Sequence, residues 1–122
     1  MELGRSLEDY LEAIYILEKE QRYVKSVDVA RYMNFTKASV CYAVKILKRE
    51  GLLFSNEDAY LVLTEEGKKM AIEMNERRKF FLQFLLNAGI DHQLAQEEAC
   101  RMEHTISNDS FQKIRKKYGQ LG

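Results

Sequence analysis

The stretch SVDVARYMNFTKASVCYAVKILKREG, residues 26–51, indicates how this chain folds. It predicts a short helix over 27–32 and a longer helix over 37–50, each preceded by a serine or threonine that can cap it. An Asn-Phe turn separates the two helices, and Gly51 ends the second in the manner of a C′ glycine. This order is typical of a helix-turn-helix. The predicted inward-facing residues are Val27, Ala30, Met33, Val40, Cys41, Ala43, Val44 and Leu47.

The segments on either side extend this pattern. An amphipathic helix over 7–20, capped by Ser6, precedes it. Two short β-prone runs, 52–54 and 60–63, follow it around a polar loop and indicate a hairpin. Helix, short helix, turn, helix and hairpin is the order of a winged helix-turn-helix. Three further helices are predicted over 65–87, 92–106 and 108–118.

Charge is balanced overall but is unevenly placed along the chain. The sequence has 19 basic and 19 acidic residues, whereas DNA-binding proteins usually carry a basic surface. Residues 37–49 nevertheless hold four basic residues and no acidic one, and residues 91–104 hold four acidic residues and one arginine. This separation favours a phosphate-binding surface on the third helix and a cation-binding surface on the fifth.

Composition argues against several other classes of protein. No apolar run approaches the roughly 18 residues that cross a bilayer, and the N-terminus has no signal-peptide pattern. We therefore expect a cytoplasmic protein without a membrane partner, in which the two cysteines are reduced thiols. The sequence has no glycine-rich phosphate loop, no nucleophile motif and only two histidines, which argues against an enzyme.

The outward face of the third helix carries the candidate DNA-binding residues. In a helix-turn-helix this helix lies in the major groove, and its first residues contact base edges. Lys45 and Lys48 are placed to contact phosphate, as is Asn56 in the wing, although Glu57 and Asp58 make the wing acidic. An ordinary solvated helix face, or a winged helix used only for protein contacts, is the alternative. The candidate DNA-binding residues are Thr36, Lys37, Ala38, Ser39, Tyr42, Lys45, Lys48 and Asn56.

Cys100, Glu103 and His104 follow the helical spacing i, i+3 and i+4 in the fifth helix. This spacing places a thiol, a carboxylate and an imidazole on one face, and all three groups ligate divalent transition metals. A lone histidine or cysteine would more often be an ordinary core residue. Together the three residues predict a metal site, and its combination with a DNA-reading half predicts a sensor.

Three segments resemble the diphtheria-toxin-repressor family of metal-dependent regulators, and particularly its shorter manganese-transport-regulator branch. They are SLEDYLEAIY (6–15), LVLTEEG (61–67) and EACRMEHTIS (98–107). The resemblance implies a homodimer that binds a palindromic double-stranded DNA operator when loaded with Mn²⁺ or Fe²⁺. It also implies metal ligands on the first and fifth helices. Carried over by position, these are Asp9, Glu12, Cys100, Glu103 and His104.

The implied metal site is a hybrid of the two branches. Asp9 matches the manganese branch, whereas Cys100 matches the iron branch, and a thiolate shifts metal preference towards Fe²⁺, Co²⁺, Ni²⁺ or Zn²⁺. The thiol must lose its proton to bind. Arg78, Leu82 and Gln96 stand where the family has ligands of an ancillary site. We hypothesise that the guanidinium of Arg78 replaces the charge of a second cation, so that one ion, or none, suffices.

These patterns together predict a mainly α protein with two domains. Residues 1–64 form a winged helix-turn-helix DNA-binding domain, and residues 65–122 form a helical dimerisation and metal-binding domain. Phe80, Phe81 and Phe84, with the neighbouring leucines, predict the homodimer interface because large apolar patches seldom stay exposed. The predicted function is a transcriptional regulator that represses metal-uptake genes. The alternatives are a regulator that no longer needs metal, a winged-helix protein-interaction module, and a metal-binding protein without regulatory output.

Overall fold

The computed structural model describes residues 4–119, with only the backbone given for Arg5. Helices dominate these residues, and a two-stranded antiparallel sheet accompanies them, which confirms the mainly α fold with a small wing. No helix within this range has the length and apolar character needed to cross a bilayer. The elements in chain order are α1 (Arg5–Glu20), α2 (Ser26–Met33), α3 (Lys37–Arg49), β1 (Leu53–Ser55), β2 (Leu61–Leu63), α4 (Glu65–Asn87), α5 (His92–Glu103) and α6 (Asn108–Tyr118).

The chain divides into two compact units, and the division falls after Ile72, inside α4. The predicted domain boundary after residue 64 comes just before this helix. The difference has a physical reason, because the first turns of α4 pack into the core of the first unit through residues such as Ala71. The compact units are defined by packing, so they do not test the limits of the functional domains. Those limits remain a prediction.

The predicted first helix is confirmed, but its predicted cap was wrong. Leu11, Ile14 and Leu17 form the buried stripe that their spacing indicates. The helix begins earlier than expected, because the backbone N–H of Glu8 already bonds to the carbonyl of Gly4 at 3.1 Å. Gly4, rather than Ser6, occupies the cap position and makes no side-chain cap bond.

The predicted helix-turn-helix is present in the first unit. Thr36 caps α3, since its Oγ1 accepts a hydrogen bond from the N–H of Ser39 at 3.1 Å. Two inward-facing predictions were wrong: Cys41 is exposed and Val27 is 46% exposed. The fully buried residue of α2 is Val29, which rotates the buried face away from Val27. The confirmed buried stripe of α3 is Val40, Ala43, Val44 and Leu47, and Cys41 lies beside it.

β1 and β2 form the predicted hairpin. Leu53 pairs with Leu63, and Ser55 pairs with Leu61, in antiparallel register. The N–H of Leu61 also donates to the carbonyl of Val24 at 2.7 Å. This bond joins the hairpin to the segment that precedes α2, so the wing is fixed to the helix-turn-helix by backbone as well as by side chains.

The start of α4 packs closely against the chain that enters the hairpin. Thr64 caps α4 as predicted: its Oγ1 donates to the carbonyl of Gly51 at 2.8 Å and accepts from the N–H of Gly67 at 3.0 Å. A Cβ added at Gly67 would lie 2.0 Å from the carbonyl oxygen of Leu52. Because that neighbour is backbone, only a residue without a side chain fits there.

The second unit has its own core around two aromatic rings, Phe81 and Phe111, whose centroids lie 5.9 Å apart. In this unit α5 ends at Glu103, before the predicted end at residue 106. The N–H groups of His104 and Thr105 bond to carbonyls only three residues back, and such tightened bonds are usual where a helix stops. The buried residues of this core are Phe81, Leu85, Ala95, Ala99 and Phe111.

Candidate metal centre and DNA-reading face

The end of α5 gathers three of the predicted metal ligands. Cys100 and Glu103 lie in its last turns, and His104 is its C-cap residue. One ligand atom from each residue, respectively sulfur, oxygen and nitrogen, lies within 4.8 Å of the other two. Donor atoms that share an ion each lie about 2.0–2.3 Å from it. Their mutual separations are therefore compatible with a single metal ion.

Glu103 is the most informative residue of this cluster. Its side chain is fully buried, and neither carboxylate oxygen accepts a hydrogen bond from any residue between 4 and 119. The Nε2 atom of His104 lies 3.3 Å from Oε1, and the imidazole is only 4% exposed. Burying an ionised carboxylate costs much free energy unless positive charge or hydrogen-bond donors face it. A divalent cation provides that charge, so the residues present fit a metal ion.

The other two predicted ligands lie on α1, in the first unit. Asp9 and Glu12 are three residues apart in this helix, which places them on the same face. Glu12 is only 4% exposed, and its neighbours Leu11 and Ala13 are buried as well. Asp9 is half-buried. Both carboxylates are thus partly or wholly withdrawn from water, and their assignment as ligands remains a prediction.

The residues predicted to stand at the ancillary position are Arg78, Leu82 and Gln96, none of which is an acidic or histidine donor. The Nη2 atom of Arg78 donates to Oδ1 of Asn75 at 3.3 Å, and Asn75 is itself buried. Leu82 packs against the core of the second unit, while Gln96 is exposed. A guanidinium is therefore held in this part of the second unit, and its role as a substitute for a second cation remains a prediction.

The beginning of α3 is exposed, as a surface that contacts DNA must be. Lys37, Ala38 and Ser39 are exposed, and Tyr42 is 69% exposed one turn later. The hydroxyl of Thr36 is engaged in the helix cap, since it also donates to Oγ of Ser39 at 2.9 Å. We therefore expect Thr36 to shape this surface more than to contact bases. The remaining exposed candidates on this helix are Lys45 and Lys48.

Asn56 shapes the wing. Its Oδ1 accepts hydrogen bonds from the backbone N–H groups of Asp58 and Tyr60, both at 3.0 Å. Ala59, at the tip of the same loop, has a φ of 64°, in the left-handed region that non-glycine residues seldom adopt. Asn56 thus stabilises the loop, and its predicted phosphate contact remains a prediction. Glu57 and Asp58 are exposed beside it.

An aromatic and basic cluster that the sequence patterns did not predict lies beside the wing. The rings of Tyr23 and Tyr60 stack with their centroids 4.7 Å apart. Lys25 Nζ lies 5.2 Å from the Tyr60 centroid, and Arg22 Cζ lies 5.4 Å from the Tyr23 centroid. Such contacts attract the cation to the ring face. The alternation of basic and aromatic residues in this segment was the available signal, and the cluster adds positive charge next to an acidic loop.

Two family models together match nearly the whole chain. Residues 2–59 match the iron dependent repressor N-terminal DNA binding domain. Residues 64–122 match the iron dependent repressor metal binding and dimerisation domain. The chain thus has a DNA-binding domain followed by a metal-binding and dimerisation domain, and proteins of this family are transcriptional regulators rather than enzymes.

Individual proteins show the same relationship. An uncharacterised HTH-type transcriptional regulator of Methanocaldococcus jannaschii is 33% identical over 117 residues, which cover 93% of this chain and 92% of that protein. The HTH-type transcriptional regulator MntR of Bacillus subtilis is 32% identical over 109 residues, or 89% of this chain and 77% of MntR. The structure of the manganese regulator SloR matches 98% of this chain with a TM-score of 0.82 and 27% identity, and this chain spans 55% of the SloR chain. The chain belongs to the iron-dependent repressor family of metal-responsive, DNA-binding transcriptional regulators.

Proposed function

We propose that this protein represses metal-uptake genes by binding an operator when Mn²⁺ or Fe²⁺ is present. The observation that carries the proposal is the buried carboxylate of Glu103, which accepts no hydrogen bond from residues 4–119 and lies beside Cys100 and His104. A protein that kept this group ionised and dry, with no cation, would lose stability. A cation site explains why the cluster is buried rather than solvated.

We propose further that Asp9 and Glu12 complete the ligand set from α1. The burial of Glu12, their shared helical face and the family match support this assignment. Carboxylate and imidazole donors suit Mn²⁺ and Fe²⁺, while the thiolate of Cys100 would favour Fe²⁺, Co²⁺, Ni²⁺ or Zn²⁺. A bound ion would supply the positive charge that these donors share.

A ligand set drawn from α1 and α5 would couple metal binding to DNA binding. An ion that binds one conformation of the protein better than others increases the population of that conformation. In a homodimer, that conformation sets the spacing of the two α3 helices. Palindromic half-sites lie about 34–36 Å apart along the duplex, so only some spacings fit an operator. The metal would thereby select the DNA-binding form.

The proposed DNA and dimer surfaces lie on different units. The exposed residues of α3, with Tyr42 at 69% exposure, would enter the major groove of a palindromic operator. Phe84, which is 41% exposed on α4, and the neighbouring Phe80 would belong to the homodimer interface, since exposed aromatic clusters usually mark interaction sites. A cytoplasmic location is part of this proposal, because the operator lies there.

The test is a DNA-binding titration of the full chain under reducing conditions. Operator duplexes are selected from a random library with Mn²⁺ present, and affinity is then measured with Mn²⁺, with Fe²⁺ and with a chelator. We expect metal to tighten binding at least about fivefold, the lower range of allosteric coupling. E103Q should abolish the metal effect, whereas E97Q, an exposed position on α5, should retain it. Equal affinity with metal and with chelator would contradict metal control.

A second candidate function is DNA binding that no longer needs metal. The observation that favours it is the guanidinium of Arg78, held by the buried Asn75 at the ancillary position. Operator binding that survives the chelator would support it. R78H should increase the number of bound Mn²⁺ ions if Arg78 replaces a second cation, and unchanged stoichiometry would count against that role. Absence of any salt-dependent DNA affinity would instead favour a winged-helix protein-interaction module.

A further inference from the structure

Arg77 joins the segments that carry and follow the metal cluster. Its Nη1 donates to the carbonyl oxygen of Glu103 at 3.2 Å and to that of Ile106 at 2.9 Å. Its Nη2 lies 3.5 Å from Oδ1 of Asn108, and its Cζ lies 5.8 Å from the centroid of Phe111. One side chain from α4 therefore contacts the end of α5, the following turn and α6.

These contacts lie at the end of a helix, where the usual i to i+4 donors for backbone carbonyls run out. The last four carbonyls of a helix have no intrahelical donor, and they form the negative end of the helix dipole. An arginine can bond to such carbonyls, and the guanidinium of Arg77 does so at Glu103, the last residue of α5. The same nitrogen holds Ile106 beyond the turn, so the turn between α5 and α6 has an anchor at each end.

The anchored backbone belongs to two of the candidate ligands. Glu103 and His104 stand where the helix stops, so the directions of their side chains depend on the backbone torsions of this turn. The Nε atom of Arg77 is buried and has no acceptor within residues 4–119. A buried donor without an acceptor is unfavourable. The hydrogen bonds from Nη1 to the two carbonyls, and the contact with the ring of Phe111, must therefore outweigh this unfavourable free energy to hold the guanidinium in place.

We propose that Arg77 is a positioning residue for the metal site. Through the carbonyls of Glu103 and Ile106, it holds the Glu103 carboxylate and the His104 imidazole in the arrangement that accepts an ion. This inference rests on the proposed metal-dependent function. Arg77 is not itself a ligand, and it acts through backbone. Its neighbour Arg78 donates to Asn75 and is assigned no such role.

The test compares R77M with R115M in the full chain. Arg115 is a matched control in the same unit, since it forms an exposed ion pair with Glu76 at 2.8 Å. Mn²⁺ affinity is measured by competition with a chelating dye, and hydrogen exchange of the metal-free protein is followed by NMR. We expect R77M to weaken Mn²⁺ binding about 10–100-fold, the usual effect of removing a residue that orients a ligand, and R115M to leave it unchanged.

Amide hydrogen exchange tests the positioning role in the metal-free protein. The N–H groups of His104 and Thr105 bond to the carbonyls of Arg101 and Met102, and R77M should accelerate their exchange selectively. R77K should recover part of the Mn²⁺ affinity, because an ammonium can bond to one of the two carbonyls.

The possible results separate the inference from its premise. R77M that melts at a lower temperature but binds Mn²⁺ as tightly as wild type would overturn the inference alone, since Arg77 would then be merely structural. If R77M does not fold, R77K decides: weaker Mn²⁺ binding than wild type supports the inference, and equal binding overturns it. A wild-type protein that binds neither Mn²⁺ nor Fe²⁺ would overturn the proposed function as well.

Discussion

The beginning of α3 and the end of α5 present polar groups in opposite ways. At the beginning of α3, Thr36 and Ser39 are exposed and bond to each other. At the end of α5, Glu103 is buried and accepts no hydrogen bond within residues 4–119. A surface that binds a large, hydrated partner such as DNA is stable without that partner, because water solvates its polar groups. A site for a small ion keeps charge out of water, and its stability therefore depends on the ion.

The largest effect is expected from removing the buried charge. E103Q should weaken Mn²⁺ binding by more than about 100-fold, because losing a ligand should exceed the 10–100-fold loss typical of residues around a metal site. The metal-free variant should unfold at a higher temperature than metal-free wild type, because it no longer has a buried carboxylate that accepts no hydrogen bond from residues 4–119. Calorimetric titration and thermal melts measure both.

E97Q is the matched control for this variant, because Glu97 lies on the same helix but is exposed. It should change neither the Mn²⁺ affinity nor the melting temperature. If E103Q kept its Mn²⁺ affinity, or melted below wild type without metal, the contrast between the two helix ends would fail at its main point.

The next effect tests the exposed side of the comparison. K45Q removes one positive charge from the outward face of α3, so it should weaken binding to all duplex sequences alike and reduce the salt slope of log affinity by about 1. Mn²⁺ affinity should not change. K79Q, an exposed position on α4 in the second unit, is the control and should leave the slope as it is. A K45Q slope equal to that of wild type would remove Lys45 from the proposed phosphate contacts.

Two equivalent helix caps, one in each unit, allow an effect on DNA binding to be separated from an effect on stability. Thr36 caps α3, and Ser107 caps α6 as the sequence predicts; each accepts a hydrogen bond from a backbone N–H at 3.1 Å. T36A and S107A should each lower the free energy of unfolding by about 1 kcal/mol. T36A should also weaken DNA binding, because it loosens the exposed beginning of α3, and T36S should restore it. Equal losses of DNA affinity in both alanine variants would show that stability alone controls binding.

The elements whose cause is local could be predicted from the sequence. The apolar stripe through Leu11 and Ile14 gave α1, and Thr36 gave the start of α3, because both signals lie within a few residues. The cap of α1 could not be predicted, since the hydrogen bond from Glu8 to Gly4 makes the helix start upstream of Ser6. Cys41 was wrongly predicted to be buried because it lies next to the apolar stripe of α3, and helical spacing alone does not determine where the edge of such a stripe meets solvent.

The candidate metal site divides in the same way. The spacing of Cys100, Glu103 and His104 is a local pattern, and the structure brings their donor atoms together. The anchoring by Arg77 could not be predicted, because its bonds reach residues 26 and 29 positions away. That Glu103 accepts no hydrogen bond from residues 4–119 is likewise a property of packing. The sequence indicated which groups could bind an ion, but not what holds them in place.

The smallest expected effect on the free energy of unfolding comes from relieving backbone strain in the wing. The opposite substitution at a comparable position in the second unit provides the comparison. Ala59 has a φ of 64° and Gly89 a φ of 88°, and this left-handed region is unfavourable for alanine but not for glycine. A59G should raise the free energy of unfolding by about 0.5 kcal/mol, because relief of strain is partly offset by the greater freedom of glycine in the unfolded chain. G89A should lower it, since a Cβ there meets no neighbour within 4 Å and the left-handed strain of an alanine exceeds the entropy that it removes from the unfolded chain. Thermal melts measure both changes. An unchanged melt for A59G, beside a lowered one for G89A, would mean that the greater freedom of glycine in the unfolded chain cancels the strain relieved at the loop tip, so that the left-handed conformation of Ala59, which lies between the bonds of Asn56 to Asp58 and Tyr60, costs the wing little.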